Sequence, residues 1–499
     1  MTTLALYWPE YRLFPYERAF ALSEASALLS PSDGFDDRGA HVTLQTTRAP
    51  AARRLTYFRA FQRTPSPPEP TIQHLVETAS AGMRRQSTRY SVHGLHEYKG
   101  KFNPQVARCL LNASGLPKNA LVLDPFCGSG TTLVECAHAG LRAVGVDINP
   151  LATLIASAKV QALACDPDEL RTEAAAVIRG ARQRRARETR ADERATYLSR
   201  WFEQRPLQQF EALRLEIEAR PGSLRDVLLV IVSNILREFS LQEPADLRIR
   251  RRKSPPSDRD PFETVQSEVE TLAERLQVVR DLMDFPAPSV KTIQTDVRTL
   301  EAREEGHKLR GSFHAAITSP PYAMALPYVD TQRLSLVWLG LVRPTALPAL
   351  QADLIGSREF NRLPRRTWDV HLLGNEHSLP PRQARMCREL LSLVGRNDGF
   401  RRQAVPALLY RYLVGMRDSM RAVRSLLREG APFFLIVGHN HTVLGGKRID
   451  LSTPELLAEL GQTVGFEVEG RQPLETYQRY GLHQKNAIDR EELLTLRAL

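Results

Sequence analysis

Between Ala120 and Asp147 a strand, a glycine-rich turn, a helix and a second strand follow one another without a break. Ala120-Leu-Val-Leu-Asp124 is an apolar run of strand length, and Pro125-Phe-Cys-Gly-Ser-Gly130 supplies the turn. Thr132 to Ala139 has the composition of a helix, and Ala143-Val-Gly-Val-Asp147 is the next apolar run. Strands alternating with helices at this spacing form a βαβ unit, which implies neighbouring parallel strands joined by a crossover helix. The chain is thereby committed to an α/β sheet with both faces covered. A glycine turn at the C-terminal end of such a strand is also where open α/β sheets receive ligands.

The remaining sequence extends this unit and interrupts it. At 499 residues there is material for roughly three domains. Residues 1–63 read as a small α/β unit, with strands at Leu4–Trp8 and His41–Thr46 and a helix at Tyr16–Leu29. The proline-rich stretch Thr64-Pro-Ser-Pro-Pro-Glu-Pro opens a linker at 64–90. Residues 91–164 contain the βαβ unit and the helix opening at Pro150. Residues 165–285 abandon the alternation for helix-rich, arginine-rich sequence and read as an insertion. Alternation returns over 286–499, with strands at Val290–Asp296, Phe313–Ser319 and Pro432–Gly438. A long amphipathic helix is expected at Ala404–Arg428, another helix at Thr453–Leu460 and a closing hairpin from Phe466. Pro344–Gln403 shows little periodicity and reads as loop and short helix over the ligand face.

Composition narrows the classes of partner. Hydrophobic residues at 42% with 25% charged residues are those of a globular chain. No apolar run reaches the ~18 residues that would span a bilayer, so no membrane partner is expected. The N-terminus has neither a basic region nor a long apolar stretch, and a cytoplasmic location is expected. Five scattered cysteines fit no zinc spacing, so no metal is expected. The net charge of +11 favours a polyanionic partner, because phosphate contacts release counterions; a surface simply rich in arginine gives the same number.

The turn at 125–130 is not a phosphate loop, since no lysine follows Gly130, and not a dinucleotide turn, since Leu133 stands where a third glycine is required. It suits a backbone passing beneath an uncharged ribose. Asp147 lies 23 residues beyond Asp124, close to the ~20-residue interval at which an acid meets ribose hydroxyls. Asp124, at the end of the first strand, is placed to receive an ammonium. Further on, Thr318-Ser-Pro-Pro-Tyr322 puts two prolines and an aromatic ring directly after an apolar strand, a rigid platform for a planar base. No Pro-Cys pair occurs, which argues against ring-carbon cytosine chemistry.

Asp124–Thr132 and Thr318–Tyr322 together resemble the S-adenosylmethionine motif and the catalytic motif of the amino-group DNA methyltransferases. His93-Gly-Leu-His-Glu-Tyr-Lys-Gly-Lys-Phe-Asn-Pro104 is similar to the His-x-Tyr-x-x-Lys-Phe-x-Pro segment of the same family. The resemblance covers roughly residues 90–160 and 290–490. It implies a Rossmann-like class I methyltransferase fold: an α/β doubly wound sheet, here with a helical insertion and a small N-terminal α/β domain. It implies S-adenosyl-L-methionine as cofactor, contacted in the first segment by His96, Tyr98, Lys101 and Phe102. In the glycine-rich segment the contacts would be Asp124, Pro125, Phe126, Gly128, Ser129, Gly130, Thr131 and Thr132. Asp147 and Ile148 would follow, and Asp296 in Gln294-Thr-Asp-Val-Arg298 would meet the adenine amino group. Ser319, Pro320, Pro321 and Tyr322 would be the catalytic set, acting on a base flipped out of the duplex. Serine in the first catalytic position is typical of enzymes acting on cytosine N4, with adenine N6 as the alternative. DNA is the implied partner, and Arg248, Arg250, Arg251, Arg252 and Lys253 are candidate contacts to it. The N-terminal unit loosely resembles the RNA-binding front domains of guanine-N2 RNA methyltransferases, which makes RNA the second substrate class. A DNA-binding subunit with a vestigial fold is the non-enzymatic alternative. No nuclease motif is visible, so a partner nuclease would sit on a separate chain; the sequence does not indicate an oligomeric state.

Overall fold

In the computed structural model, residues 1–81, 86–184, 192–244, 246, 249–283, 289–323, 328–360, 363–475 and 490–499 are described. The chain opens with strands β1 (Thr2–Tyr7), β2 (Asp36–Asp37), β3 (His41–Thr46), β4 (Ala60–Arg63) and β5 (Glu69–Pro70). They form an antiparallel sheet in the order β2-β3-β1-β4-β5. The helix Pro15–Leu29 lies on this sheet and docks on the helix Pro104–Ala113. Buried Glu24 fastens that junction: its carboxylate accepts from the Thr56 N–H at 2.9 Å and from Asn112 Nδ2 at 2.7 Å.

The stretch expected to be a linker is packed structure instead. Glu69–Pro70 pairs with Ala60–Phe61, and the helix Ile72–Ala81 buries Gln73 and Glu77. Pro70 is tolerated because β5 is an edge strand, where a missing N–H breaks no inner ladder bond.

The central sheet has seven strands: β6 (Leu121–Asp124), β7 (Arg142–Asp147), β8 (Val290–Gln294), β9 (Ala315–Thr318), β10 (Pro432–Gly438) and, beyond the two-stranded hairpin β11 (Asn440–Leu444) and β12 (Lys447–Leu451), β13 (Phe466–Glu475) and β14 (Arg490–Ala498). The order is β13-β14-β10-β9-β6-β7-β8. Strands β8, β7, β6, β9 and β10 are parallel, and β14 runs against both β10 and β13. Counted within the sheet alone this is 3-2-1-4-5-7-6, the doubly wound arrangement expected from the sequence. The order reverses between β6 and β9, so their C-terminal ends leave a crevice there.

Alternation along each strand sends side chains to two cores. Leu121, Leu123, Val144, Val146, Leu435 and Val437 face the helices Val405–Leu426 and Thr453–Thr463. Val122, Ala143, Ile317 and Ile436 face the opposite side, with the N-terminal unit packed beyond. Each buried large side chain contributes about 1.5–3 kcal/mol. Between β7 and β8 the chain inserts helices at Pro167–Gln183, Glu193–Ser199, Gln204–Glu218, Arg225–Ile235 and Pro261–Leu282. They share a third core with Leu151, Ile155 and Leu163 of the helix Pro150–Ala164. Pro344–Gln403 is more helical than its weak periodicity suggested, with helices at Leu347–Asp353, Arg365–Gly374, Pro381–Ser392 and Phe400–Gln403. Among the described residues no helix is long and apolar enough to cross a membrane.

Candidate cofactor and catalytic site

The crevice at the switch point is a cleft of about 830 Å³, its open mouth included, within the ~300–1,000 Å³ of small-molecule sites. Its floor is the turn after β6. Gly128 and Gly130 have φ of +47° and +81°, a region that suits glycine. A Cβ on Gly130 would stand 2.8 Å from Ala156 Cβ, so the turn presses directly on the helix Pro150–Ala164. The Gly128 N–H donates to Asp147 Oδ2 at 2.9 Å and the Asn149 N–H to Oδ1 at 2.9 Å. Burial pushes the Asp147 carboxyl up to about 6, against those donors.

Of the residues singled out in the sequence, Tyr98, Lys101 and Phe102 line the cleft from the His93–Pro104 segment. Pro125, Phe126, Gly128, Ser129 and Thr131 line it from the turn, and Asp147, Ile148 and Asp296 from the ends of β7 and β8. Ser319 and Pro321 close the β9 side. Lys101 Nζ donates to the His93 carbonyl at 3.2 Å. Asp296 caps the helix Val297–Leu300 and is held by Arg298 Nε, 3.0 Å from both its oxygens.

Other expected contacts lie behind the wall. Asp124 is buried, accepting from Thr318 Oγ1 at 2.7 Å and from the Phe126 N–H at 3.2 Å. It ties β6 to β9 across the switch point and does not line the cleft. Burial pushes its carboxyl up to about 6. Gly130 sits beneath the turn as the helix N-cap, and Thr132 Oγ1 donates to the Ile317 carbonyl at 3.3 Å. His96 joins the Glu97 carbonyl (2.8 Å) and Ser233 Oγ (3.3 Å), pinning its segment to the inserted helix Arg225–Ile235; burial lowers its pKa to about 4. Pro320 does not line the cleft, and neither does Tyr322, whose hydroxyl donates to Glu491 Oε1 at 2.9 Å on β14.

The basic run fares differently again. Arg248 lies outside the described residues. Arg251 donates to the Arg200 carbonyl (2.7 Å), and half-buried Arg252 to those of Glu238 (2.8 Å) and Ser240 (3.1 Å). Arg250 lies 3.3 Å from Asp246, and Lys253 is exposed. Arg251 and Arg252 therefore also tie down their own loop.

The two segments flanking the floor share a buried anchor. Glu135, fully buried on the helix Thr131–His138, accepts from the Tyr90 hydroxyl at 2.8 Å. Its Oε1 also lies 2.7 Å from His93 Nε2 and 3.3 Å from His138 Nδ1, with Arg108 Nε 3.8 Å from Oε2. Burial alone would raise its pKa; His138 and Arg108 bring it well below the ordinary carboxylate value. These ligand-type atoms converge closely, but the Arg108 cation and the hydrogen bonds gathered on Glu135 Oε1 make this a clamp joining the His93 segment to the glycine turn.

Residues 68–157 match the family described as DNA methylase, the N6/N4 methyltransferases. Over these residues the chain is similar to the DNA amino-methyltransferases. It is 47% identical over 70 residues to the Type II methyltransferase M.MjaII of Methanocaldococcus jannaschii, covering 14% of this chain and 13% of that protein. It is 23% identical over 416 residues to the Type II methyltransferase M.AvaI of Nostoc sp., covering 75% and 78%. A tRNA (guanine(10)-N2)-dimethyltransferase of Methanothermobacter thermautotrophicus is 46% identical over 52 residues, 10% of this chain and 16% of that protein. The chain thus spans well under two thirds of the length of M.MjaII and of the tRNA enzyme.

Similarity to this family implies S-adenosylmethionine as methyl donor, and the cleft fits it. Ser129 and Thr295 line the cleft, and their buried hydroxyl oxygens have no hydrogen-bond partner among the described residues. Such atoms are costly to leave unpaired and suit a polar ligand. Phe102, Phe126 and Ile148 supply apolar surface beside them. Sequence reasoning missed several lining residues: Gly100, Cys127, Asn149, Thr295, Val297 and the run Asp353-Leu-Ile355. The Asn149-Pro150 helix start was a legible signal for the third of these. The strap at 353–355 had none, because it arrives from far along the chain. It is pressed down at Gly356, where a Cβ would stand 2.5 Å from the Tyr322 carbonyl oxygen.

Proposed function

We propose that this protein methylates an exocyclic base amine in DNA, cytosine N4 in preference to adenine N6, using S-adenosylmethionine. One observation carries the reading: Ser319 lines the same cleft as the glycine turn, and its hydroxyl hydrogen is directed to the Ile436 carbonyl at 3.2 Å. With its proton engaged there, Ser319 Oγ turns lone pairs outward as an acceptor. An aromatic amine is a weak nucleophile because its lone pair is delocalised into the ring. Acceptors that hold its hydrogens out of the ring plane restore that lone pair, and this needs positioning and electrostatics without a covalent enzyme intermediate.

The bound cofactor supplies an electrophilic methyl group on a sulfonium. Asp147 is the group to accept from ribose hydroxyls, since each of its oxygens is occupied by one backbone N–H and has further lone pairs. Lys101 and Phe102 are assigned to the methionine end, and Asp296 with Thr295 to the adenine edge. Pro320 keeps the chain rigid after Ser319, and the anchored Tyr322 offers its ring as a stacking surface for the flipped base. A modification role beside a nuclease on a separate chain accords with the Type II relatives. The short tRNA-enzyme match and the N-terminal sheet favour RNA as the second reading.

Nucleoside mass spectrometry after incubation with unmethylated genomic DNA, and separately with total RNA, tests this. The expected product is N4-methylcytosine in DNA, reduced by about 10²–10³ in rate in Ser319→Ala at unchanged cofactor affinity. Methylguanosine in RNA with DNA untouched, or wild-type transfer by Ser319→Ala, would overturn it.

A further inference from the structure

The helix Val405–Leu426 spans about 33 Å, far more than the four-residue strand β9 beneath it. Its C-terminal end is fixed at the start of that strand, where the Arg428 N–H donates to the Phe313 carbonyl at 3.0 Å. Gly415 marks the level of the cleft: a Cβ there would lie 3.3 Å from Ile355, a cleft residue, and 3.6 Å from Arg298. The ten residues before Gly415 therefore carry the helix about 15 Å beyond the level of the cleft. The short helix Phe400–Gln403 crowns them.

The hairpin β11–β12 rises from the end of β10 on the same edge and is welded to this crown. Asp398 Oδ2 accepts from the Gly395 and Gly445 N–H groups, each at 2.8 Å. Gly445, at φ +54°, has room for no Cβ, the Leu393 carbonyl oxygen lying 2.7 Å from its position. The weld gathers Arg396, Arg401, Arg402, Lys447 and Arg448, all exposed. Among the described residues no carboxylate pairs with Arg396, Arg401 or Lys447. Asp398 is consumed by its two N–H donors, with Arg402 4.0 Å away, and Asp450 is held by Arg448 at 2.9 Å. Phe400, between these arginines, is 72% exposed.

We propose that this basic crown receives the phosphate backbone of duplex DNA beside the cleft, with Phe400 turned toward the bases. The inference rests on the DNA reading above and gives it a second basic surface besides the 248–253 run. Exposed cations, three of them without a carboxylate partner among the described residues, beside an exposed aromatic ring favour nucleic acid over an apolar protein partner. Cations that replace condensed counterions give affinity that falls steeply with salt.

The test is fluorescence anisotropy with a non-specific duplex across a salt series, using full-length protein. Wild type is compared with the triple variant Arg396→Ala/Arg401→Ala/Lys447→Ala. The expected result is at least about tenfold weaker binding near 0.1 M salt and a log–log salt slope shallower by about 2–3. Cofactor affinity and melting temperature should match wild type. Unchanged duplex affinity and slope in the triple variant, while wild type still methylates DNA, overturns this inference alone. Wild type that neither binds nor methylates duplex DNA overturns the functional reading as well. A loss seen with structured RNA and not with duplex DNA refutes the assignment to DNA.

Discussion

Replacing Gly130 by alanine would test whether the glycine turn is fixed by its contact with the helix behind it. The residue sits at φ +81°, ψ 32°, where an L side chain costs about 1–2 kcal/mol. The new Cβ would meet Ala156 Cβ at 2.8 Å and Ala156 Cα at 3.0 Å. Neither atom belongs to a flexible side chain, so the helix Pro150–Ala164 or the turn must move, and overpacking of this kind costs about 1–3 kcal/mol. The summed expectation is a loss of about 2–5 kcal/mol in urea unfolding, with cofactor binding lost in parallel because Ser129 and Thr131 move with the turn. Gly128→Ala is the contrast. Its Cβ meets Tyr98 Cε1 at 3.3 Å, and a ring can yield, so stability should fall by about 1 kcal/mol while cofactor affinity falls through a narrowed cleft. A Gly130→Ala protein within about 0.5 kcal/mol of wild type would refute the packing argument.

Two further outcomes follow from the buried carboxylates. Cofactor affinity, measured by calorimetry, should be full above pH 7 and weaken about tenfold between pH 7 and pH 5, because Asp147 accepts hydroxyl donors as a carboxylate and its pKa is pushed up to about 6. The stability sign is opposite: a raised carboxyl favours the fold most below its unfolded pKa and loses that contribution as pH rises through 6. Asp124 titrates in the same range, so Asp147→Asn, which should flatten the affinity profile, separates the two; an unflattened profile would exclude Asp147 as its origin. Glu135→Ala should cost about 3–5 kcal/mol in urea unfolding, because it strands Arg108, His93 and the Tyr90 hydroxyl in the interior. A loss under 1 kcal/mol would show that the clamp is dispensable.

Legibility in the sequence followed the range of the forces involved. Residues 120–147 were readable because strand length, glycine torsions and helix initiation are set by neighbours in sequence. So was much of the cleft's lining where one short segment carries it, as with Pro125, Phe126, Gly128, Ser129 and Thr131, or with Ser319 and Pro321. Readings failed where a side chain's role depends on what packs behind it. Asp124 stood at the right strand end, but its carboxylate turned to Thr318, 194 residues away in sequence. In the basic run at 248–253, Arg251 and Arg252 also meet backbone carbonyls of their own insertion. The linker reading failed because proline is compatible with an edge strand as well as with a tether.

By itself the sequence determined a parallel α/β sheet, a glycine turn after its first strand and a proline-rich turn after its fourth. These rest on local torsional preferences and on apolar periodicity. Tertiary structure alone decided which acids face the cleft, which strap covers it and where unpaired positive charge collects. Those depend on contacts between residues hundreds of positions apart, and burial, not residue type, then sets whether a carboxylate or guanidinium is available to a ligand or already engaged by the fold.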